Sequence, residues 1–392
     1  MRISLLSTAL AILLASCAVA PVAAPAQNRL ELQPVKADYG AFTRATQVRE
    51  MVWPDDHGPH DDYLLEWWYY TGNVQDESGR PFGYQLTVFR RAVAPPDGAS
   101  ASLLDGLGFR QVYFAHFALS DIAEEKHYAF ERFSRGAGGL AGAQSSPFRA
   151  WVEGWTIDQV PGSAPIDAAG AVRLQASQDA IALDLTLTPN KPLVLQADRG
   201  LSPKSADPTN ASYYYSFTRL GTSGRIRVGE REFTVTGSSW MDHEWSTSLL
   251  DENAEGWDWL ALQLDDGRDL LVAQVRHKSR RPEDAFLALA ALVEPDGAPR
   301  QLQRDAVTFE PLEFWESADT KARYPIRWRV AAPEAKLELD VRTRFADQEA
   351  KLATVYYEGA VTAAGSLDGR TVRGVGYLEM TGYSTSIGAQ LR

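Results

Sequence analysis

One pattern of aromatic and acidic residues occurs twice in this chain, and it constrains the fold more than any other feature. A Trp-rich segment, an acidic Gly-Arg turn and an apolar segment that ends in Arg follow one another in residues 66–90 and again in residues 257–276. The closing segments also correspond, because residues 235–242 (VTGSSWMD) resemble residues 372–379 (VRGVGYLE). Antiparallel hairpins are common, so one match alone carries little weight. Matching beginnings and matching ends together predict two copies of one domain, joined near residue 245.

The segments between these landmarks have the pattern of short β-strands. Stretches dense in Val, Tyr, Phe and Thr alternate with turns rich in Gly, Asp, Pro and Ser, and no long stretch has a convincing helical period. Many short strands at meander spacing are typical of a sandwich or a closed barrel. A Trp on the first strand with an Arg later in the barrel is typical of lipocalin-type barrels, which leave room for one apolar ligand. We therefore predict an all-β fold of two tandem lipocalin-like antiparallel β-barrels.

The N-terminal residues have the features of a targeting segment. Arg2 precedes an apolar run over residues 5–14, which is too short to span a bilayer as a mature anchor. The run leads into residues 14–17 (LASC), which resemble a bacterial lipobox, and Cys17 is the only cysteine of the chain. Cleavage before Cys17 would leave its thiol to carry a diacylglycerol, with an ordinary signal peptide as the alternative. Because Ala18 rather than Asp follows, we expect an envelope lipoprotein in the outer membrane that faces the periplasm.

These features divide the chain into four expected segments. They are a signal peptide over residues 1–16, a lipidated Cys and flexible tether over 17–48, an N-terminal barrel over 49–245 and a C-terminal barrel over 246–392. The formal net charge of −12 at pH 7 disfavours nucleic acid and anionic headgroups as partners, since both require a basic surface. We expect contact with the membrane through the lipid on Cys17, and we expect no cofactor.

The segment between the two copies carries the first candidate for chemistry. Residues 237–245 (GSSWMDHEW) place His243 between two carboxylates and bracket all three groups with indoles. Neighbouring acids can hold a histidine in one tautomer or keep it protonated, and indole rings can exclude water. The alternative is a strand end with exposed charges and two tryptophans of the core.

Two further clusters and one histidine compete with this segment. Residues 55–62 (DDHGPHDD) offer two histidines and four aspartates at no recognised metal spacing, so a solvated acidic lead-in is preferred over a loop that binds a divalent ion, and we expect no metal. Residues 255–259 (EGWDW) open the second copy. His116 shares one face of its strand with Phe114 and Ala118, so it points either into the barrel or at the domain junction.

Three segments together resemble a known family. Residues 66–72 (EWWYYTG), 116–118 (HFA) and 240–245 (WMDHEW) resemble the carotenoid 1,2-hydratase (hydroxyneurosporene synthase) and AttH-like family, whose members are often labelled predicted secreted hydrolases. The resemblance covers roughly residues 50–390. It implies two lipocalin-like barrels, in agreement with the duplication.

The resemblance also implies two functional residue pairs. In the hydratase branch these are a His-x-Trp pair, matched by His243 and Trp245, and an aromatic-x-Asp or similar pair, for which Asp258 with the adjacent Trp257 is the counterpart here. The aromatic residue is Trp where that branch has Tyr. This departure, together with lipoprotein targeting, points away from carotenoid pigment as the substrate.

The chemistry of such a site follows from general principles. Adding water to an isolated alkene requires protonation of carbon, and water then traps the tertiary carbocation. A buried Asp with a raised pKa can donate the proton, and Trp faces stabilise a desolvated cation by about 2 kcal/mol. His243 would orient the acid or deliver the water. Ester hydrolysis has less support, because the chain has no Gly-x-Ser-x-Gly elbow.

These arguments yield a set of predicted site residues and a function. The predicted catalytic residues are His243, Asp258 and Trp245. The predicted ligand-binding residues are aromatic or acidic, with one histidine, namely Glu66, Trp67, Trp68, His116, Trp240, Asp242, Trp257 and Trp259. We predict an envelope lipoprotein that binds an apolar, isoprenoid or lipid ligand and hydrates or hydrolyses it by acid catalysis. The alternatives are a non-catalytic lipid carrier and an accessory subunit of an envelope transport system.

Overall fold

The protein folds into two β-sheets. The computed structural model describes residues 42–93, 110–168, 170–247, 250, 253–279 and 284–385, so the predicted signal peptide, Cys17 and residues 18–41 of the predicted tether lie outside the described residues. Residues 42–48 of that tether are described, and Phe42 and Ala45 among them are buried. Regular structure in the described part consists of β-strands and short 3-10 turns, and no helix there has the length and apolarity of a membrane span. The predicted all-β fold of two lipocalin-like barrels is confirmed, with a first sheet that closes almost completely and a second that forms a half-barrel.

Thirteen strands form the first sheet in the described part of the chain. Their bounds are β1 (Leu65–Asp76), β2 (Pro81–Ala92), β3 (Gln111–Asp121), β4 (Lys126–Ser134), β5 (Ala141–Ser145), β6 (Phe148–Val152), β7 (Trp155–Gln159), β8 (Val172–Gln178), β9 (Ile181–Pro189), β10 (Val194–Leu195), β11 (Leu201–Pro203), β12 (Ala211–Val228) and β13 (Arg231–Ser246).

Among the residues that the structure describes, ten strands form the second sheet. Their bounds are β14 (Ala254–Leu264), β15 (Asp269–His277), β16 (Phe286–Val293), β17 (Pro299–Gln301), β18 (Thr308–Glu316), β19 (Arg323–Ala332), β20 (Leu337–Thr343), β21 (Glu349–Lys351), β22 (Val355–Leu367) and β23 (Arg370–Met380). The 3-10 turns of the described part are Asp55–His57, Ala137–Gly139, Ile166–Ala168, Arg304–Ala306 and Pro333–Ala335.

The two sheets share one topology. Hydrogen-bonded neighbours follow the order β4-β3-β2-β1-β13-β12-β9-β8-β7-β6-β5 in the first sheet and β17-β16-β15-β14-β23-β22-β20-β19-β18 in the second. Taken in order, the strands from β4 to β7 in the first sheet are therefore equivalent to those from β17 to β18 in the second. In particular, β1 corresponds to β14 and β13 to β23. The register agrees as well, because Tyr69 lies opposite Asp242 as Trp259 lies opposite Glu379. The repeat in the sequence thus corresponds to a repeat in strand order.

Alternation of side chains builds a separate core in each sheet. Along β9, Leu183, Leu185 and Leu187 are buried while the residues between them are partly exposed, as expected of a strand with one face on the core. Aromatic side chains fill much of the first interior, including the fully buried Trp68 and Trp155. The second interior is built from aliphatic residues around Trp328, Tyr324 and Tyr357.

Equivalent residues of the two copies make reciprocal contacts at the junction. The side-chain amide of Asn73 on β1 donates to the carbonyl of Gly376 at 3.0 Å, and that of Gln263 on β14 donates to the carbonyl of Ser239 at 2.9 Å. Asn73 and Gln263 hold the same register position in their copies, as do Ser239 and Gly376. Reciprocal contacts between equivalent residues define a two-fold interface. The two copies therefore face each other about a pseudo-two-fold axis.

The junction gives a first testable prediction. Gln263→Ala should lower the free energy of unfolding by about 1–3 kcal/mol, because the buried carbonyls of Thr218 and Ser239 each lose a donor. Urea denaturation followed by Trp fluorescence measures this change. The control is Gln144→Ala, which removes an exposed side chain bonded only to the carbonyl of Pro147 and should change stability by less than about 0.5 kcal/mol. Equal effects of the two substitutions would contradict the prediction.

Candidate functional site

Strands β1 and β13 carry candidate residues on both of their faces. Because successive side chains of a strand point to opposite faces, the predicted residues divide into two groups. Glu66, Trp68, His243 and Trp245 point into the first barrel, whereas Trp67, Trp240 and Asp242 face the junction with the second sheet. Two separate polar clusters thus lie back to back on the same pair of strands.

Glu66 is the centre of the cluster inside the first barrel. Its carboxylate is fully buried, and it accepts four hydrogen bonds. His60 Nδ1 at 2.6 Å and His243 Nε2 at 2.9 Å donate to Oε1, and Arg90 Nε at 2.7 Å and the His60 backbone N–H at 2.9 Å donate to Oε2. Burial alone would raise the pKa of Glu66, but the charges of His60 and Arg90 hold it well below its usual value. Four donors match the four acceptor positions of an ionised carboxylate, so Glu66 is charged.

The two histidines on Glu66 differ in protonation. Burial opposes protonation of His60, but Glu66 and Asp56 outweigh it and raise the His60 pKa above the usual 6.5. For His243, which is fully buried, burial dominates and lowers the pKa to about 4 despite the bond to Glu66. Near neutral pH, His60 is therefore an imidazolium and His243 a neutral imidazole. An acid and a base of opposite character share one carboxylate oxygen.

Indole rings cover both histidines. The His60 ring is stacked on Trp245 with centroids 3.9 Å apart and an interplanar angle of 4°, and the His243 ring is stacked on Trp68 at 4.8 Å and 22°. A cation over an indole face is attracted by the ring quadrupole. Trp245 therefore stabilises the charged form of His60, and the rings exclude water from the polar centre.

The hydrogen bonds continue from both histidines to the surface. On one side, His60 Nε2 lies 2.9 Å from Asp56 Oδ1, which also accepts from Arg49 at 2.6 Å. The side chain of His60 is 12% exposed and that of Arg49 is 29% exposed. On the other side, hydrogen bonds link His243 to Tyr215 (3.0 Å), Tyr215 to His57 (2.7 Å) and His57 to Asp167 (3.0 Å).

The interpretation of residues 55–62 as a solvated lead-in holds for Asp55, Asp61 and Asp62, which are exposed, but it is wrong for Asp56 and His57. Asp56 and His57 are 5% and 2% exposed, because the 3-10 turn Asp55–His57 packs over the first barrel. Trp53 stacks on the His57 ring at 4.6 Å, and Trp68 Nε1 donates to the His57 carbonyl at 2.9 Å. Sequence reasoning therefore missed the half-buried His60. The signal it could have used is the distance of only six residues between His60 and the candidate Glu66.

The same three side chains form a possible metal-ligand group. One atom each from His60, Glu66 and His243 lies within 4.8 Å of the others. Ligands around a tetrahedral zinc ion are about 3.3 Å apart, given bonds of about 2.0–2.1 Å. Glu66 Oε1 lies only 2.6 and 2.9 Å from the two imidazole nitrogens. These separations suit shared protons rather than an ion.

Asp258 is not brought to His243. It points into the second barrel, where Arg276 Nε at 3.0 Å and Tyr383 Oη at 3.1 Å donate to Oδ1, and Gln274 donates to Oδ2 at 2.8 Å. Asp258 occupies the register position of Trp68, and Arg276 that of Arg90. The expected pairing of His243 with Asp258 does not occur, because strand alternation directs these side chains into different interiors.

The remaining predicted residues gather at the junction. Asp242 accepts from Trp240 Nε1 and from the Tyr214 hydroxyl, each at 2.7 Å, and burial raises its pKa to about 7. Trp257 donates to Glu379 at 3.1 Å, and burial raises the Glu379 pKa to about 8. Trp67 and Trp259 pack in the same apolar cluster. This second set consists of carboxyl groups that resist ionisation among indoles.

His116 takes one of the two orientations that the sequence left open. Its Nδ1 lies 2.7 Å from the hydroxyl of Tyr356 on β22, so the ring is at the junction and not inside the first barrel. Burial lowers its pKa to about 3. A separate cavity of about 390 Å³ lies on the second sheet and is lined mainly by charged residues, among them Asp266, Arg268 and Glu294. None of the predicted site residues lines it.

Comparisons with known proteins add a family and a fold. A family model described as AttH-like matches residues 44–383. A solved AttH candidate from Nitrosomonas europaea has 35% sequence identity and a TM-score of 0.74, and the match covers 87% of this chain and 100% of that one. Kievitone hydratase from Nectria haematococca has 14% identity and a TM-score of 0.61, with 88% and 96% coverage. CghA has 15% identity and a TM-score of 0.51, with 82% and 89% coverage. Among curated proteins, no relative matches.

The buried ion pair at the centre of the site gives a second prediction. Arg90→Met should lower the free energy of unfolding by about 3–5 kcal/mol, because it leaves the Glu66 carboxylate buried without its guanidinium. Arg173→Met is the control, since the Arg173–Asp184 pair is largely exposed and should contribute less than about 1 kcal/mol. Chemical denaturation of both variants measures the difference. Similar losses would show that Glu66 does not depend on Arg90.

The opposite protonation of the two histidines gives a third prediction. In side-chain ¹⁵N NMR, His60 should stay protonated at pH 6.5 and lose its proton only at higher pH, because its pKa is raised. His243 should stay neutral until the pH falls towards 4, because burial lowers its pKa. His60→Gln and His243→Gln assign the signals. Two histidines that titrate together near pH 6.5 would exclude an acid–base pair.

Proposed function

The chain belongs to the AttH-like family, and we propose that it is an acid–base enzyme that adds water to an isoprenoid or lipid ligand. The observation that carries the proposal is the Glu66 carboxylate, which holds protonated His60 and neutral His243 on one oxygen. Environments that drive two titratable groups apart in pKa are the usual mark of an acid and its base. The likeness in fold to kievitone hydratase supports addition of water as the reaction class.

His60 is the group best placed to meet the ligand. Its side chain is 12% exposed, whereas Glu66, His243 and Trp68 are fully buried. A ligand that approaches from solvent therefore reaches His60 first, beside the face of Trp245. The apolar rings around His60 favour an apolar ligand and keep bulk water out.

The reaction can be written with the proton at each step. The His60 imidazolium gives a proton to one carbon of a double bond, and the adjacent carbon becomes a cation beside Trp245. An indole face stabilises a desolvated cation by about 2 kcal/mol. The oxygen of a water molecule bonds to the cation, and the resulting oxonium releases its proton to solvent. With an ester, the same acid would protonate the carbonyl oxygen, and water would add to the carbonyl carbon. The bond from that carbon to the alkoxy oxygen would then break, and the alcohol would leave with the proton that the added water loses, so that the fatty acid is released.

The roles predicted from the sequence are reassigned in part. His243 and Trp245 stay in the proposed site, as the neutral base and the indole beside the acid. The role of proton donor passes from Asp258 to His60, because Asp258 is in the other barrel and paired with Arg276 at 3.0 Å. A carboxylate with a guanidinium and two further donors is a poor source of protons.

We also propose that the reaction takes place in the cell envelope. The lipobox at residues 14–17 supports lipidation of Cys17, and a lipid anchor would bring the site close to membrane-derived ligands. Incorporation of radiolabelled palmitate that Cys17→Ser abolishes would support this location, and labelling unchanged in that variant would contradict it.

Incubation in H₂¹⁸O tests the reaction class and gives a fourth prediction. The full chain is mixed with geranylgeraniol as an isoprenoid alkene or with dioleoylglycerol as a lipid ester, and products are analysed by mass spectrometry. Hydration should add one whole labelled water to the alkene, whereas hydrolysis should place one labelled oxygen in the released fatty acid. His60→Gln should slow incorporation by about 10²-fold or more, the usual contribution of a general acid.

A buried histidine outside the site provides the control. His127 on β4 bonds to the Ser120 hydroxyl at 2.9 Å, and His127→Gln should leave the incorporation rate unchanged. No incorporation into either probe by the unaltered protein would contradict the proposed reaction for both substrate classes. If His60→Gln did not slow incorporation, the reaction would not depend on the site inside the first barrel.

A further inference from the structure

A hydrogen-bonded path leads from Glu66 to the surface without passing through His60. His243 Nδ1 lies 3.0 Å from the Tyr215 hydroxyl, which lies 2.7 Å from His57 Nδ1. His57 Nε2 lies 3.0 Å from Asp167 Oδ1. Tyr215 and His57 are 0% and 2% exposed, whereas the Asp167 side chain is 24% exposed. The path therefore joins the centre of the site to solvent through two buried side chains.

Counting donors shows that this path lacks one proton. Glu66 can only accept, so neutral His243 carries its proton on Nε2, and its Nδ1 must accept from Tyr215. The Tyr215 oxygen is then free to accept from Nδ1–H of His57. If neutral His57 has its proton on Nδ1, its Nε2 faces the Asp167 carboxylate with no proton between them. All the bonds form at once only when a further proton lies between His57 and Asp167.

Aromatic walls confine proton movement to this path. Trp53 stacks on the His57 ring at 4.6 Å, and Phe148 and Phe217 lie 6.4 and 6.5 Å from it. Burial, the neighbouring Tyr70 and the carboxylates of Asp56, Glu66 and Asp167 keep the pKa of Tyr215 well above its usual value. The hydroxyl therefore keeps its proton at rest and can pass it on only while receiving another.

We propose that Asp167, His57 and Tyr215 form a proton relay that recharges the Glu66 histidine pair. A solvent proton reaches His57 Nε2 beside Asp167, and His57 gives its Nδ1 proton to the Tyr215 oxygen. Tyr215 gives its hydroxyl proton to His243 Nδ1, and His243 passes its Nε2 proton to Glu66 Oε1, which restores the number of protons held by the Glu66–His60 pair after His60 has given one away. One proton enters at Asp167 and one arrives at Glu66, so charge balances and no redox partner is needed.

The relay rests on the proposed function and extends it. In water addition, the acid gives one proton to carbon, and the added water later loses a different proton at another point of the site. While a ligand covers the exposed part of His60, the relay offers the acid a path for protons that the ligand does not block. Tyr215 and His57 are accordingly positioning residues that act through His243, and neither touches the ligand.

Two tyrosines of the same barrel provide a matched pair of variants, which gives a fifth prediction. Tyr215→Phe breaks the relay, whereas Tyr70→Phe removes a fully buried hydroxyl that has no hydrogen-bond partner in the described part of the chain. In ¹⁵N NMR of the unaltered protein, His57 should carry a proton on Nδ1 and neutral His243 should not. Tyr215→Phe should change the Nδ1 signals and titration midpoints of both histidines, and Tyr70→Phe should change neither.

Turnover provides a second readout. With the H₂¹⁸O assay, Tyr215→Phe should slow incorporation by about 10²-fold and most strongly at high pH, where solvent protons are scarce, while Tyr70→Phe keeps the normal rate and pH profile. If the unaltered protein turns over neither probe, the proposed function fails. The NMR comparison alone then decides whether Tyr215 connects His57 to His243. The relay would be overturned if Nδ1 of His57 and Nδ1 of His243 were both protonated or both unprotonated. It would also be overturned if Tyr215→Phe left the titration midpoints of the two histidines as unchanged as Tyr70→Phe does.

Discussion

The structure depends on the requirement that a fully buried carboxylate be completely paired. Removing a carboxylate from water costs several kcal/mol, and only good hydrogen bonds and opposite charge offset that cost. Glu66 on β1 meets this requirement with Arg90 from β2, His243 from β13 and His60 from the covering segment. One side chain thus fixes the register of three strands and the position of the segment above them. Stability and reactivity at this point come from the same four bonds.

The sequence predicts the fold well because its strongest signals are local or repeated. Alternation of apolar and polar residues predicts strands, and the repeated Trp-rich hairpin predicts two copies, which the shared strand order confirms. Strand alternation also determines which face each residue of the segment 237–245 occupies. Trp240 and Asp242 therefore face the junction, while His243 and Trp245 face the barrel. A sequence pattern lists these residues side by side, although the fold places them in two different environments.

The residues that form the site could be predicted only in part. Two of its contacts join segments that are far apart in the sequence or irregular in structure. Residues 55–62 look solvated by their charge, and no periodicity indicates that a 3-10 turn brings His57 and His60 over the barrel. Tyr215 on β12 is an ordinary strand tyrosine in the sequence, and only the pairing of β12 with β13 places it against His243. Asp258 illustrates the converse error, because closeness in sequence to His243 does not bring it into the same interior.

Comparison of the two copies distinguishes the features that both copies share from the features in which they differ. Arg90 and Arg276 occupy equivalent positions and each binds a buried carboxylate, so an arginine–carboxylate pair inside the barrel belongs to both copies. The equivalent of His243 in the second copy is Met380, and Asp258 takes the place of Trp68. Among the described residues of the second copy, the ion pair is bonded to Gln274 and Tyr383 rather than to histidines. Because the second copy folds with such an ion pair and without counterparts of His60 and His243 on it, the histidines, Tyr215 and the covering turn of the first copy need another explanation, which the proposed proton transfer would provide.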